Sequence, residues 1–203
     1  MSVAATIRAR ASSSSYDATR TLSPADIGAL VDLATQAPSA FNMQNWKFIA
    51  VHSDEAKARL LPLAYGQQKV VEAAVTFIIC GTLEQHLTMP AALAPTRDAG
   101  IIDQATYEGW VGAVNNMYGA NPVMQRDEAV RSASLAAMTL MLAAQEQGLV
   151  SCPMIGFDAA GVAAAFGLPA TDVPVMLVTV GYSGPSNWQK KPRKAVADVL
   201  AFV

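Results

Sequence analysis

Ala37-Pro38-Ser39-Ala40-Phe41-Asn42-Met43-Gln44-Asn45-Trp46 is the stretch on which the reading of this chain turns. It sets a proline, a hydroxyl, amides and two aromatic rings between a predicted helix and a predicted strand. Hydroxyl and amide side chains can hydrogen-bond the edge of a planar heteroaromatic ring, and aromatic side chains can wall it in. A plain connector would more often be built of solvated Gly, Asp and Lys. On these residues alone, a ligand loop and a mere turn carry equal weight.

The elements on either side are legible from spacing and caps. Upstream, Ser23-Pro24-Ala25-Asp26 opens a helix by capping rules, with Ser as cap, Pro in the first turn and Asp at the positive end. Ile27, Leu30, Val31 and Ala34 recur at helical spacing, and Pro38 is expected to end the helix. Downstream, Lys47 to His52 reads as a strand and Ser53-Asp54 starts a helix to about Leu63. Val75 to Gly81 and Val173 to Gly181 are continuous apolar runs of strand length, as expected of strands covered on both faces. A long helix is predicted from Asp127 to Gln147, closed by Gly148 and buried on most sides, with Met138 and Met141 in the core. Ser151 to Asp158 reads as a second ligand loop, and Asp158 caps a helix that Gly167 closes. Residues 83–122 are the least regular. Pro90 and Pro95 interrupt them, and a helix is expected from about Asp98 to Asn116, as a cover over a pocket or as a peripheral helical pair. The whole, residues 1–203, is read as one α+β domain: a central mixed β-sheet flanked by helices.

Composition narrows the class. Hydrophobic residues make up 52% of the 203 and charged residues 15%, with mean hydropathy +0.27. So few charges would cover a monomer's surface poorly, which favours an oligomer. A net charge of −2 argues against nucleic acid as a partner. No apolar run approaches the roughly 18 residues of a membrane span, and the N-terminus has no basic-then-apolar signal pattern. Cys80 and Cys152 form no disulfide framework, so a cytoplasmic protein with reduced thiols is expected. His52 and His86 lack partners at metal-ligand spacing. There is no GxGxxG, no GxxxxGK[ST] and no internal repeat.

Two further segments are cationic. Arg8 and Arg10 precede four serines, Ser12 to Ser15, and Lys190-Lys191-Pro192-Arg193-Lys194 lies near the C-terminus. Taken alone, the first is better read as a solvated arm. Taken together, guanidinium forks, ammonium groups and hydroxyls suit a phosphate. With Gln67 to Lys69 and Pro38 to Gln44 as ring-reading segments, and Gly156 permitting close backbone approach, the set suits a flat phosphorylated cofactor such as flavin mononucleotide (FMN).

Over almost its whole length the sequence resembles the FMN-dependent nitroreductase family. The likeness rests on Arg10-Ala11-Ser12, the APSxxNxQxW loop at Ala37 to Trp46, Gly148-Leu149, Pro153 to Asp158, and Lys191-Pro192-Arg193. It implies a homodimer with the cofactor at the subunit interface, and tightly bound FMN. Arg8, Arg10, Ala11 and Ser12 would contact the phosphate or ribityl chain, with Lys191 and Arg193 completing the phosphate site. Pro38, Ser39, Ala40 and Asn42 would reach the flavin of the other subunit, with Gln44 of the same motif standing behind them. Gln67 and Lys69 would lie by the pyrimidine edge, and Met154, Ile155 and Gly156 by the ring. Phe41, Trp110 and Tyr118 are candidate walls of the acceptor pocket, each equally well read as ordinary packing. Two positions depart from the family pattern: Ser14, where a second basic residue is frequent, and Gly66, where an Asn often stands. The implied chemistry is hydride transfer from NAD(P)H through the flavin to a nitroaromatic or quinone, with ping-pong kinetics and no catalytic triad or metal. The alternatives are the same fold acting on an enone, aldehyde or heterocycle, and a non-catalytic FMN-binding module.

Overall fold

A computed structural model of the protein describes residues 2–203. Its elements run α1 (Val3–Ala9), α2 (Pro24–Ala34), β1 (Trp46–Val51), α3 (Asp54–Leu63), α4 (Lys69–Glu72), β2 (Val75–Thr82), α5 (Gln85–Asp98), α6 (Gln104–Tyr118), α7 (Pro122–Glu146), β3 (Val150–Met154), α8 (Ala159–Ala165) and β4 (Asp172–Gly181). The sheet order is β1-β2-β4-β3, and every neighbouring pair is antiparallel. The expected mixed character is confined to one edge, where Ser12 and Ser151 form an isolated parallel bridge. Local register is Val51 opposite Thr76, Ile78 opposite Leu177, and Cys152 opposite Thr179. The β2–β4 register slips between Ile79 and Cys80, where Pro174 has no N–H to give the ladder.

The central strand is buried from Val75 to Gly81, as its unbroken apolar run requires. One face, with Val75, Phe77, Ile79, Val178 and Val180, packs on Ile27, Leu30 and Ala34 of α2 and on Ala133, Ala137 and Leu140 of α7. The other face, with Ile78, Cys80, Cys152 and Leu177, packs on Leu60 of α3 and Val162 of α8. Each fully buried aliphatic or aromatic side chain contributes about 1.5–3 kcal/mol, so these two layers outweigh any single cap or surface pair. Burial of Cys80 pushes its thiol pKa up to about 12, with the Asp172 carboxylate adding to the effect.

Four boundaries differ from the sequence expectation, each for a physical reason. Helix α2 stops at Ala34, before Pro38, with the Thr35 hydroxyl donating to the Asp32 carbonyl. Helix α5 runs through Pro90 and Pro95. An interior proline costs about 3 kcal/mol, offset here because Met89 and Leu93 are buried against Val114 and Tyr118 of α6. Helix α7 begins at Pro122, where Asn121 Oδ1 accepts from the Met124 N–H. Val150 to Met154 is a strand; Pro153 is tolerated because β3 is an edge. Met141 is buried as expected, whereas Met138 is 37% exposed on the outer face of α7.

Candidate functional site

A cavity of about 240 Å³ opens beside the β3 edge, lined by Ala11, Ser12, Ser13, Ser14, Lys69, Cys152, Trp188, Gln189, Lys190, Lys191 and Arg193. Its wall carries three ammonium groups, a guanidinium and three serine hydroxyls and no carboxylate. Such a wall selects an anion with several acceptor oxygens. Next to it, one Arg10 guanidinium nitrogen is shut from solvent without a hydrogen-bond partner, a donor left for a ligand to satisfy.

The N-terminal arm reaches this wall because β3 holds it. The Ser13 N–H donates to the Ser151 carbonyl at 3.0 Å, beside the Ser12–Ser151 bridge. The C-terminal run is fixed at its start, where Lys190 Nζ donates to the Ile7 and Arg8 carbonyls at 3.0 and 2.6 Å. A cation there also complements the negative end of α1. Lys191 Nζ stands 5.2 Å from the centre of the Trp188 ring. Arg193 Nη1 folds back on the Lys191 and Pro192 carbonyls.

At the inner end, Lys69 Nζ lies 3.4 Å from Cys152 Sγ. Gln67 Nε2 donates to the Ala64 carbonyl at 3.0 Å and to the Gly156 carbonyl at 2.8 Å. Both amide protons are therefore spent, and only Oε1 is left to meet a ligand. Gln67 thus braces the segment after β3, which includes Ile155, 85% exposed, and Gly156. Gly66 has φ +71° and its N–H closes the end of α3 on the Leu61 carbonyl. That left-handed position favours Gly or Asn, which accounts for the departure there.

The Ala37 to Trp46 loop lies elsewhere. It precedes β1, at the opposite edge of the sheet from β3. Phe41, Asn42 and Gln44 have φ of 51°, 55° and 50°, left-handed conformations uncommon outside glycine. Ser39 Oγ holds the bend by accepting from the Gln44 N–H at 2.8 Å. Strain concentrated on three residues of one loop is a mark of a functional segment. Phe41 and Trp110 meet edge to face at 5.9 Å. Tyr118 is a correction: only 2% exposed, it sits inside the cluster of Met43, Met89, Leu93 and Val114 and walls no open pocket. A second, wider cleft of about 730 Å³ lies here, bordered by Met43, Gln44, Leu87, Pro95 and Asp172, whose carboxylate pairs with Lys47 at 2.7 Å.

Within one chain, then, Ala11, Ser12, Lys69, Lys191 and Arg193 line one cavity. Arg8, Met154, Ile155 and Gly156 lie outside its wall, and Pro38 to Gln44 do not reach it. Trp188 and Asn187 are not among the residues that the sequence motifs single out. The signal available was an aromatic ring two residues before a cationic run. Cys152, read as a plain thiol, faces the cavity. Iodoacetamide at pH 8 is expected to alkylate Cys152 and to spare Cys80, fully buried and with its raised pKa, until the chain unfolds. Peptide mass spectrometry reads this directly, and equal labelling of both would contradict the burial of Cys80. Among the described residues no cluster of His, Cys, Asp and Glu could hold a metal, and no helix is long and apolar enough to cross a membrane.

The chain is similar to known proteins over most of its length. The Nitroreductase family profile matches residues 7–182. YodC of Bacillus subtilis, provisionally named an NAD(P)H nitroreductase, is 38% identical over 175 residues, 86% of each chain. NADH dehydrogenase of Thermus thermophilus is 31% identical over 160 residues, 78% of this chain and 76% of its own. An Exiguobacterium sibiricum structure, provisionally assigned as a nitroreductase and solved in complex with FMN, superposes with a TM-score of 0.92 at 27% identity, covering 100% of this chain and 98% of that one. The fold is also that of a gut-bacterial enone reductase, with a TM-score of 0.88 at 23% identity. The chain belongs to the nitroreductase family, and so to the oxidoreductases.

Proposed function

We propose that the protein is a homodimeric, FMN-dependent oxidoreductase that uses NAD(P)H to reduce nitroaromatic or quinone-type acceptors. The observation that carries this is the carboxylate-free cavity of serines, lysines and arginine beside Lys69. The donor set fits a phosphate ester, and the unpartnered Arg10 nitrogen fits it too. At about 240 Å³ the cavity is smaller than the roughly 300 Å³ at which drug-sized sites begin, so it holds part of the cofactor only. The strained Pro38 to Gln44 loop, on the far edge of the sheet, would supply the rest from a second copy. Two facts support that assembly. The accessible surface is 10814 Å², against about 9,100 Å² expected for a compact 21.3 kDa monomer. Leu135 and Met138 on α7, and Val199, Leu200 and Phe202 in the C-terminal tail, are exposed apolar side chains.

When bound, FMN would supply the hydride-transfer chemistry that links the nicotinamide to the acceptor. The chain's own residues do the rest. Arg10, Ser12, Lys191 and Arg193 hold the phosphate end. Lys69, its ammonium steadied by Cys152, supplies positive charge where negative charge develops. Gln67 fixes the Ile155–Gly156 backbone, and Phe41 and Trp110 border the acceptor. The two free thiols suit the cytoplasm, and residues 1–203 act as one domain.

The purified protein is expected to be yellow, with flavin absorption bands that bleach on anaerobic addition of NADPH or NADH. Donor and acceptor share one face in turn, so initial-rate lines at several acceptor concentrations are expected to be parallel. A colourless protein that takes up no added FMN would overturn the cofactor; intersecting lines would overturn the shared face.

A further inference from the structure

We propose that Asn187 is the positioning residue that sets the span of the phosphate cradle, by clasping the serine arm to the start of the cationic run. The two halves of the cavity wall, Ala11 to Ser14 and Trp188 to Arg193, are far apart in sequence. Lys190 ties the run to the end of α1, and a second side chain, Asn187, ties it to the serines themselves. Asn187 Oδ1 accepts from the N–H groups of Ser14 at 2.8 Å and Ser15 at 3.0 Å. Its Nδ2 donates to the Ser15 carbonyl at 2.8 Å and, on its own loop, to Ser183 Oγ at 3.1 Å and the Gly184 carbonyl at 3.4 Å. The donors and acceptors of the amide are thus all directed at the junction. An aspartate could not donate, and an apolar residue could do neither.

The neighbouring backbone repeats the closure. The Gly184 N–H donates to the Ser15 carbonyl at 3.0 Å, and Tyr16 and Ser183 form a β-bridge. The arm's other side is tied to β3 through Ser13 and Ser151. Asn187 is therefore the fixed point directly before Trp188, with Lys190 the next along the run, and it grips the arm at Ser14, the last arm residue on the cavity wall. It does not line the cavity itself. Its effect is to hold the serine and cation walls at one separation before a ligand arrives. Without it, an anion bridging the two walls must order them on binding, at a cost in affinity. A ligand lacking the phosphate does not bridge the walls and is spared that cost. The inference rests on the FMN reading of the cavity, and its signature is selectivity between FMN and riboflavin.

The test is calorimetric titration of apo-protein with FMN and with riboflavin, for wild type, Asn187→Ala and Gly184→Ala. The second variant reaches the same junction by another route. A Cβ at Gly184 would overlap Ser15 Oγ and stand 2.8 Å from the Tyr16 nitrogen, forcing the arm away while Asn187 stays. Both variants are expected to bind FMN about tenfold more weakly, with riboflavin affinity changed less than about twofold. Equal losses for both flavins would make the clasp a general fold element and overturn its positioning role. Unchanged FMN affinity in both variants would overturn it outright. A wild type that does not distinguish FMN from riboflavin would overturn the phosphate cradle itself, and the clasp with it.

Discussion

Replacing Lys191 and Arg193 together by alanine is expected to weaken FMN binding by about two to three orders of magnitude. A charge-assisted hydrogen bond to a phosphate oxygen contributes about 1.5–3 kcal/mol, and about 1.4 kcal/mol is tenfold in affinity. Two such bonds would give about two to four orders of magnitude if they added. They share one anion with Ser12 and Arg10, and partners of one charge couple, so the lower half of the range is expected. Riboflavin, which has no phosphate, should lose little. Folding should hold. Both side chains are exposed, and among the described residues Arg193 donates to the Lys191 and Pro192 carbonyls of its own turn. The apo-protein should therefore melt within about 2 °C of wild type, since exposed side chains away from special features change stability by about 0.5 kcal/mol or less. Ligand present at a hundred times its Kd stabilises by about 2.7 kcal/mol. The wild-type melt should rise when FMN is added at that excess, and the variant melt at the same FMN concentration should not. Full FMN affinity in the double variant would remove the cationic run from the site.

The difference between what the sequence disclosed and what it hid follows from range. Val75 to Gly81 and Val173 to Gly181 were legible because a doubly covered strand must be apolar at every position. Helices α2 and α8 were legible because Ser23 and Asp158 satisfy local orphan N–H groups, a rule that acts within one turn. Strand β3 was read as a loop because Pro153 argues against a strand unless its edge position is known, and an edge is a property of the sheet. Helix α5 was hidden for a related reason: burial of Met89 and Leu93 against α6 outweighs two prolines, and that contact is tertiary. The antiparallel sheet was missed because alternation of helices with strands does not fix strand direction. In the site, local motifs pointed to Ser12, Lys69, Lys191 and Arg193, all of which face the cavity. Spacing could not show that the Ala37 to Trp46 loop stands on the opposite sheet edge, nor that Asn187 reaches Ser14. Those are facts of topology, invisible to any window of residues.

Gly81→Ala is expected to be the most damaging single-methyl change in the chain's central layer. Gly81 ends the buried run of β2, opposite Trp46 of β1 and Val173 of β4. Helix α7 crosses it closely. A Cβ built there would overlap the Ala129 carbonyl oxygen and stand 2.5 Å from its carbonyl carbon and 2.8 Å from its Cβ. These atoms are mostly backbone, so no side chain can swing aside. Helix α7 lies this near because Ala129, Ser132, Ala133, Ala136 and Ala137 stand on its buried face around the crossing, and small residues permit close approach. To admit one methyl group, the helix must move off the sheet. That would loosen Ala133, Ala137 and Leu140 against Phe77 and Ile79 at the same time. Overpacking of a tight core costs about 1–3 kcal/mol. Here the rigid obstacle places the expectation at the top of that range, about 3 kcal/mol. For a chain of this size each kcal/mol shifts the midpoint by about 2–4 °C, so a fall of about 6–12 °C is expected in the thermal unfolding of the apo-protein. Gly112→Ala is the control: it lies in α6, and an added Cβ there meets nothing within 4 Å. Alanine favours a helix over glycine by about 1 kcal/mol, so this variant should melt at or above the wild type. Equal midpoints for Gly81→Ala and wild type would show that α7 does not press on β2 at Ala129, and the close layer between helix and sheet would have to be redrawn.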